Sequence, residues 1–174
     1  LKGNIPEDIK EIITTIGAYI LKLADKGDNL EENKLKILEN IKNGKAYNKF
    51  LELVQNQNGD IEYVKNTDKF EKAKYILPVI CEKDGYVEKL NAGEVGKISV
   101  DLGAGRLRKE DDIDKAVGIV LNKKNADKVK KGDILAFVYA NNKQKGETAV
   151  EEMQNAYTIV EEPVKKEKYI LGII

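Results

Sequence analysis

Two arginines beside a glycine-rich stretch are the residues best suited to chemistry in this sequence. The stretch reads Asp101-Leu102-Gly103-Ala104-Gly105-Arg106, and Arg106 and Arg108 are the only arginines among thirty basic residues. Glycines let backbone N–H groups approach an anion closely, and a planar guanidinium binds carboxylate or phosphate in a bidentate way that lysine cannot match. The stretch fits neither the dinucleotide pattern Gly-x-Gly-x-x-Gly, because position 108 is arginine, nor a phosphate-binding P-loop. It predicts either a tight turn or an anion-binding loop.

A run of four carboxylates follows the arginines. They are Glu110, Asp111, Asp112 and Asp114. Their spacing lacks the alternating ligands and the bidentate twelfth position of a calcium loop. Acidic residues also favour the first turn of a helix, where they face the positive end of its dipole. We therefore predict a helix over 110–117 rather than a metal site.

Side chains for nucleophilic catalysis are scarce. The sequence has no histidine, and Ser99 lies inside a predicted helix with no general base that a motif places beside it. The one cysteine, Cys81, follows the apolar residues Val79 and Ile80. We predict a buried, inert thiol and a reducing, cytoplasmic setting.

Lys143 is a candidate for covalent modification. Residues 129–136, followed by Asn141-Asn142-Lys143, resemble half of a lipoyl or biotinyl carrier domain, in which a hairpin tip presents the modified lysine. Residues 84–87 resemble the other half but come first, and a helical pattern rather than a second strand follows Lys143. We interpret this as a related β-barrel-like shape without the modification. A non-catalytic carrier or interaction module is the alternative function.

The balance of charge argues against two classes of partner. Thirty acidic residues cancel the thirty basic ones, so no net field attracts nucleic acid or an acidic membrane surface. The sequence contains no run of about 18 apolar residues that would span a bilayer. With 41% apolar and 34% charged residues, the composition is that of an ordinary globular protein.

Residues 1–70 carry the hydrophobic period of helices. Pro6 suits the start of the first helix, which we expect to stop at Gly27. Its apolar face is made of Ile9, Ile12, Ile13, Ile16, Ile20 and Leu23. A second helix is predicted to end at Gly44 and a third before the Asn58-Gly59 turn. The first face is wider than two short helices would cover, so we expect it to pack against a further element.

Residues 71–174 change in character and predict an α+β domain. The boundary falls in the charged stretch 65–74. Short β-branched and aromatic runs predict strands at 75–81, 86–87, 118–121, 134–139 and 169–174. Helical patterns occupy 93–100, 110–117 and 147–157. We predict an N-terminal helical segment followed by a C-terminal α+β domain with a barrel-sandwich-like sheet.

Six stretches, in order and with fitting spacing, resemble the C-terminal region of the pyrimidine nucleoside phosphorylase and thymidine phosphorylase family. They are Gly3-Asn4-Ile5-Pro6-Glu7-Asp8, Asn58-Gly59-Asp60, Asp84-Gly85-Tyr86-Val87, Leu102-Gly103-Ala104-Gly105-Arg106, Ile113-Asp114-Lys115-Ala116-Val117-Gly118-Ile119 and Asp127-Lys128-Val129-Lys130-Lys131-Gly132-Asp133. The resemblance implies phosphate-dependent cleavage of pyrimidine nucleosides to the free base and a pentose 1-phosphate, by a homodimer whose two lobes close over substrate. It also implies that residues 1–70 are a remnant of the larger α/β lobe.

The resemblance places the family's phosphate-binding and pyrimidine-binding residues in earlier sequence, so we expect no catalytic residue here and an inactive isolated chain. It implies that Gly103, Ala104, Gly105 and Arg106 form a closure element of the cleft, and that no organic cofactor is needed. Some bacterial members bind a structural potassium ion. By position, Leu21 and Ala24 would supply backbone carbonyls and Glu32 a carboxylate.

Overall fold

The computed structural model describes residues 1–172, with the backbone alone at Asp8. The chain divides into two compact units. The first is Leu1–Lys69 together with the tail that begins at Glu167, and the second is Phe70–Lys166. The division after Lys69 falls inside the charged stretch where the sequence changes character. The predicted domains, residues 1–70 and residues 71–174, stay a prediction.

The first unit is helical, as its apolar period predicts. Its helices are α1 (Glu7–Leu23), α2 (Leu30–Lys42), α3 (Lys45–Asn56) and the short α4 (Ile61–Lys65), which a single 3₁₀ turn (Thr67–Lys69) follows. Side-chain caps mark two of the starts: Asn29 accepts hydrogen bonds from the first turn of α2, and Asp60 accepts one from Glu62 N at 2.8 Å. Caps of this kind satisfy backbone donors that a helix start leaves open. The cap from Asp60 favours the start of the fourth helix, which the hydrophobic pattern alone did not predict.

The first helix ends at Leu23, before the predicted stop at Gly27. The N–H of Lys26 donates to Leu21 O at 2.8 Å, which closes the last turn. The connection to α2 is then held by Asn33, which is fully buried. Its Nδ2 donates to Gly27 O at 2.7 Å and to Ala18 O at 3.2 Å. A buried amide that satisfies two carbonyls ties α1, its C-terminal loop and α2 together.

The broad apolar face of α1 is only partly covered by its own unit. Ala18 is buried, whereas Ile16 and Ile20 are more than half exposed and Leu23 is 84% exposed. Large apolar side chains clustered on one surface are typical of interaction sites.

The second unit is built on two antiparallel sheets. Its strands are β1 (Tyr75–Ile80), β2 (Gly85–Leu90), β3 (Gly118–Leu121), β4 (Lys128–Val129), β5 (Ile134–Ala140) and β6 (Tyr157–Val160). The order is β1-β5-β3 in one sheet and β4-β2-β6 in the other. The mixed α+β class predicted from the sequence is confirmed. The barrel-sandwich arrangement of the sheets stays a prediction.

One core joins these sheets to two helices. The helices are α5 (Ala92–Ser99) and α6 (Lys143–Ala156). In the register of β1 with β5, Val79 faces Ala136 and Leu77 faces Val138. The buried core side chains are Val79, Cys81, Val87, Ile98, Leu102, Val117, Val129, Leu135, Ala136, Val138, Ala140, Ala149, Met153 and Tyr157. The predicted burial of Cys81 is confirmed, and its Sγ lies 3.1 Å from Lys83 O.

Two of the predicted elements are wrong. Residues 110–117 form no helix, because Asp111 and Asp114 bond to nearby backbone N–H groups and so stabilise a loop instead. Within the tail, residues 169–172 form no strand, and the last two positions of that prediction lie outside the described residues. The late helix is present but begins at Lys143 and ends before Tyr157, which opens β6.

Over residues 1–172, no helix has both the length and the apolar character needed to cross a membrane.

Candidate functional site

The loop that carries both arginines follows α5 directly. Residues 103–111 are called the arginine loop below. Helix α5 begins at a side-chain cap from Asn91, and its C-terminal end passes into a wider turn over Val100–Ala104. Gly103 has a φ of 111°, a value that side chains with a Cβ rarely adopt. A Cβ at Gly105 would lie 2.7 Å from Val100 Cγ2. Gly103 is therefore required by the backbone path, and Gly105 by its close contact with the Val100 side chain.

Two successive backbone donors of the arginine loop, at Leu107 and Arg108, are already occupied. Asp111 Oδ2 accepts hydrogen bonds from Arg108 N at 2.8 Å and from Leu107 N at 3.1 Å. Two successive N–H groups around one oxygen are the arrangement that binds anions at a backbone nest. Here the protein's own carboxylate fills that position. At these two amides, the loop is closed by its own aspartate rather than shaped to hold a free phosphate.

The side chain of Arg106 remains available for an anion. Its Nε donates to Asp111 O at 3.0 Å, and the residue is exposed. Since a guanidinium has five N–H donors, four are left without a partner in the part of the chain that the structure describes. Arg108 is also exposed, and its side chain makes no hydrogen bond or ion pair with the described residues. The chemistry left to this loop is recognition of an anionic oxygen group by guanidinium.

A second aspartate anchors the arginine loop to the sheet. Asp114 N donates to Gly103 O at 2.9 Å, and Asp114 Oδ2 accepts from Asn141 Nδ2 at 2.7 Å. Asn141 stands between β5 and α6, and its Oδ1 accepts from Lys74 N at 2.9 Å. The base of the loop is thus linked to both strands β1 and β5 of one sheet. Lys145, on α6, adds a hydrogen bond from its Nζ to Asp101 O at 3.1 Å.

Sequence reasoning placed the glycines and Arg106 in this loop but missed Asp111, Asp114 and Asn141. The aspartates were assigned to a helix start. For Asp114 the available signal was its residue type, because aspartate side chains often accept from the backbone N–H two residues further on, as Asp114 does from Ala116 N. Asn141 could not have been found, because its partner is distant in sequence.

The structure places the predicted potassium ligands around the end of α1 and the start of α2. Leu21 O already accepts from Lys26 N, and Ala24 caps α1. Glu32 is exposed, and its Oε1 accepts from Asn29 Nδ2 at 3.3 Å. The buried polar group beside this connection is Asn33 rather than Glu32. Among the described residues no cluster of three or more acidic or cysteine side chains could hold a metal ion, and a site of backbone carbonyls with Glu32 stays a prediction.

Lys143 is the first residue of α6, which Asn142 caps, and its Nζ lies 3.7 Å from Glu147 Oε1. The helix that we expected to follow this lysine is present. Lys143 therefore does not stand at the tip of a hairpin, where a carrier domain presents its modified lysine.

The sequence of the second unit is similar to that of a known class of domain. Residues 86–160, which include the whole loop, match the sequence model of the pyrimidine nucleoside phosphorylase C-terminal domain. The resemblance to the C-terminal region of that family, predicted from the sequence motifs, is confirmed.

Individual relatives extend the match to the helical unit. The chain is 40% identical over 164 residues to the pyrimidine-nucleoside phosphorylase of Staphylococcus aureus strain USA300, and the figures are the same for strain NCTC 8325. The alignment covers 94% of this chain. The chain spans 38% of the length of these relatives.

Proposed function

We propose that this chain forms the C-terminal part of an enzyme that cleaves pyrimidine nucleosides with phosphate to give the free base and a pentose 1-phosphate. The observation that carries the proposal is the 40% identity, over 94% of the chain, to relatives named for that activity. An identity spread over both units supports a shared architecture rather than one borrowed motif. The enzyme would be a transferase of nucleoside salvage, with phosphate and a pyrimidine nucleoside as its substrates.

Within that enzyme the chain contributes packing between lobes and closure of the cleft. Two features support this role. The apolar face of α1 exposes Ile16, Ile20 and Leu23, as a face that packs on a further lobe would. The arginine loop combines a rigid base with exposed guanidinium groups, as a closing element would need. The isolated chain is inactive under this proposal, because the family resemblance assigns the phosphate and pyrimidine sites to earlier sequence.

Three further properties belong to the same proposal. The enzyme is a homodimer, it acts in the cytoplasm, and it binds a structural potassium ion partly through Leu21, Ala24 and Glu32. The carbonyl of Leu21 has a second lone pair beside the one that Lys26 N occupies, which leaves it able to face a cation.

The test is a hybrid enzyme. The part of the Staphylococcus aureus phosphorylase that precedes the matched region is fused to this chain, and release of uracil or thymine from the nucleoside is followed with and without phosphate. We expect phosphate-dependent product from the hybrid. We expect none from this chain alone or from the Staphylococcus part alone, which serves as the matched control.

Two results would contradict the proposal. One is a folded, dimeric hybrid that releases no base. The other is phosphorolysis that follows the purified 174-residue chain through successive columns.

A further inference from the structure

Asp111 binds the arginine loop through both its side chain and its backbone. Its carboxylate accepts from Leu107 N and Arg108 N, its carbonyl oxygen accepts from Arg106 Nε, and its own N–H donates to Arg108 O at 3.1 Å. Residues 106–111 therefore close a ring of hydrogen bonds on one residue. An exposed arginine that is held by nothing else samples many rotamers, since its stem is long and flexible.

The hydrogen bond at Nε determines which N–H donors of Arg106 can still bind a ligand. It fixes the guanidinium by the nitrogen nearest the stem and leaves the four N–H donors of the two terminal nitrogens. A guanidinium held in one orientation loses less entropy when it binds an anionic oxygen group than a free one does. The neighbouring Arg108 has no such contact among the described residues, so its side chain is not oriented in this way.

We propose that Asp111 is a positioning residue, which holds the Arg106 guanidinium ready to bind an anionic oxygen group when the cleft closes. The inference rests on the proposed function, because the closure it serves belongs to the whole enzyme. The anchor of the loop supports it independently. Asp114 joins Gly103 to Asn141 at the sheet, so the ring around Asp111 has a fixed base from which to present Arg106. The adjacent Asp112 is exposed and has no hydrogen bond or ion pair in the described chain, which makes it a matched control.

The first arm of the test uses the chain as it is. Arg106 and Arg108 are its only arginines, so an NMR spectrum of arginine Nε–H groups contains two signals, and Arg108 serves as an internal control. In the unmodified chain we expect the Arg106 signal to exchange with water at least several-fold more slowly than the Arg108 signal.

Variants then test the role of the carboxylate. D111A removes both side-chain hydrogen bonds, and we expect exchange at the backbone N–H groups of Leu107 and Arg108 to rise about tenfold or more, with the difference between the two arginine signals lost. D111N keeps one neutral oxygen acceptor and should give a smaller rise, because hydrogen bonds to a charged acceptor are about twice as strong. D112N should leave hydrogen exchange unchanged at the two backbone N–H groups and at the two arginine Nε–H groups. Equal exchange of the two arginine signals in the unmodified chain, or no effect of D111A, would overturn the proposal.

The second arm uses the hybrid enzyme in a double-mutant cycle. If Asp111 acts through Arg106, D111N lowers kcat/KM several-fold when Arg106 is present and causes no further loss in the R106A background. If Asp111 only stabilised the fold, the losses in kcat/KM from D111N and R106A would multiply, and D111N would lower the Tm in both backgrounds. That result would overturn the proposal, as would a D111N hybrid as active as the D112N control. An inactive unmodified hybrid would refute the proposed function alone, and the NMR arm would still decide whether Asp111 positions Arg106.

Discussion

At the residue scale, Tyr157 shows how one buried hydroxyl joins elements that lie far apart in sequence. Its OH lies 3.0 Å from Lys123 O and 3.1 Å from Leu135 O, and the residue is 7% exposed. Burial raises the pKa of the Tyr157 phenol to about 12, and the negative charge of Asp127 adds to the rise. The neutral phenol is therefore the form that the fold stabilises.

The raised pKa of Tyr157 predicts a loss of stability in alkali. The unfolded phenol loses its proton near 10, whereas the folded one keeps it up to about 12. Unfolding releases a proton between these values, so the contribution is complete below pH 10 and disappears as the pH rises towards 12. Urea unfolding across this window should show that the free energy of unfolding depends less on pH in Y157F than in the unmodified chain. At neutral pH, the free energy of unfolding of Y157F should be about 1 kcal/mol lower, because the buried hydrogen bond is lost. Y75F, at an exposed position, is the control and should keep the full pH dependence. An equal slope in Y157F and the unmodified chain would contradict this account.

At the element scale, helix α6 lies close against β1 and β5 because of one glycine. A Cβ at Gly146 would lie 2.7 Å from Leu77 Cδ1 and 3.0 Å from Ala140 Cβ. The Leu77 methyl group can move, but Ala140 Cβ is fixed to the backbone of the central strand. Gly96, in α5, has the opposite surroundings, with nothing within 4 Å of an added Cβ.

This contrast predicts opposite signs for the same substitution. G96A should raise the free energy of unfolding by about 0.5–1 kcal/mol, because alanine favours the helix and limits the unfolded chain. In G146A the same gain is offset by overpacking, which typically costs about 1–3 kcal/mol, so we expect a net decrease in the free energy of unfolding. Chemical denaturation of the two variants measures both free energies. A gain in G146A equal to that in G96A would show that α6 can move away from the sheet freely.

At the scale of the whole molecule, the sheet β1-β5-β3 has one face in the core and one at the surface. Val79 and its partner Ala136 are fully buried, whereas Val120 and Ile76 on the opposite face are about half exposed. The exposed face is unusually apolar for a surface, as is the exposed stripe of α1 in the other unit.

The two faces predict different outcomes for a valine-to-threonine exchange, which keeps shape and adds a hydroxyl. V79T buries a hydroxyl in the core and should lower the free energy of unfolding of the isolated chain by about 1–3 kcal/mol. V120T leaves the hydroxyl in water and should change it by less than about 0.5 kcal/mol. Thermal or urea unfolding of both variants provides the measurement. A loss in V120T as large as that in V79T would mean that the outer face is covered in the isolated chain.

The sequence by itself determined the first three helices of the first unit, the α+β class of the second, the buried Cys81 and the family resemblance. Each of these depends on short-range patterns, such as a period of apolar residues, a cap or a motif. Only the tertiary structure decided that residues 110–117 form a loop. There the local preference of acidic residues for a helix start lost to hydrogen bonds that close the arginine loop and join Asp114 to Asn141. The bond between Asp114 and Asn141 links positions that no local pattern connects, so the anchor of the arginine loop became visible only when the chain was folded.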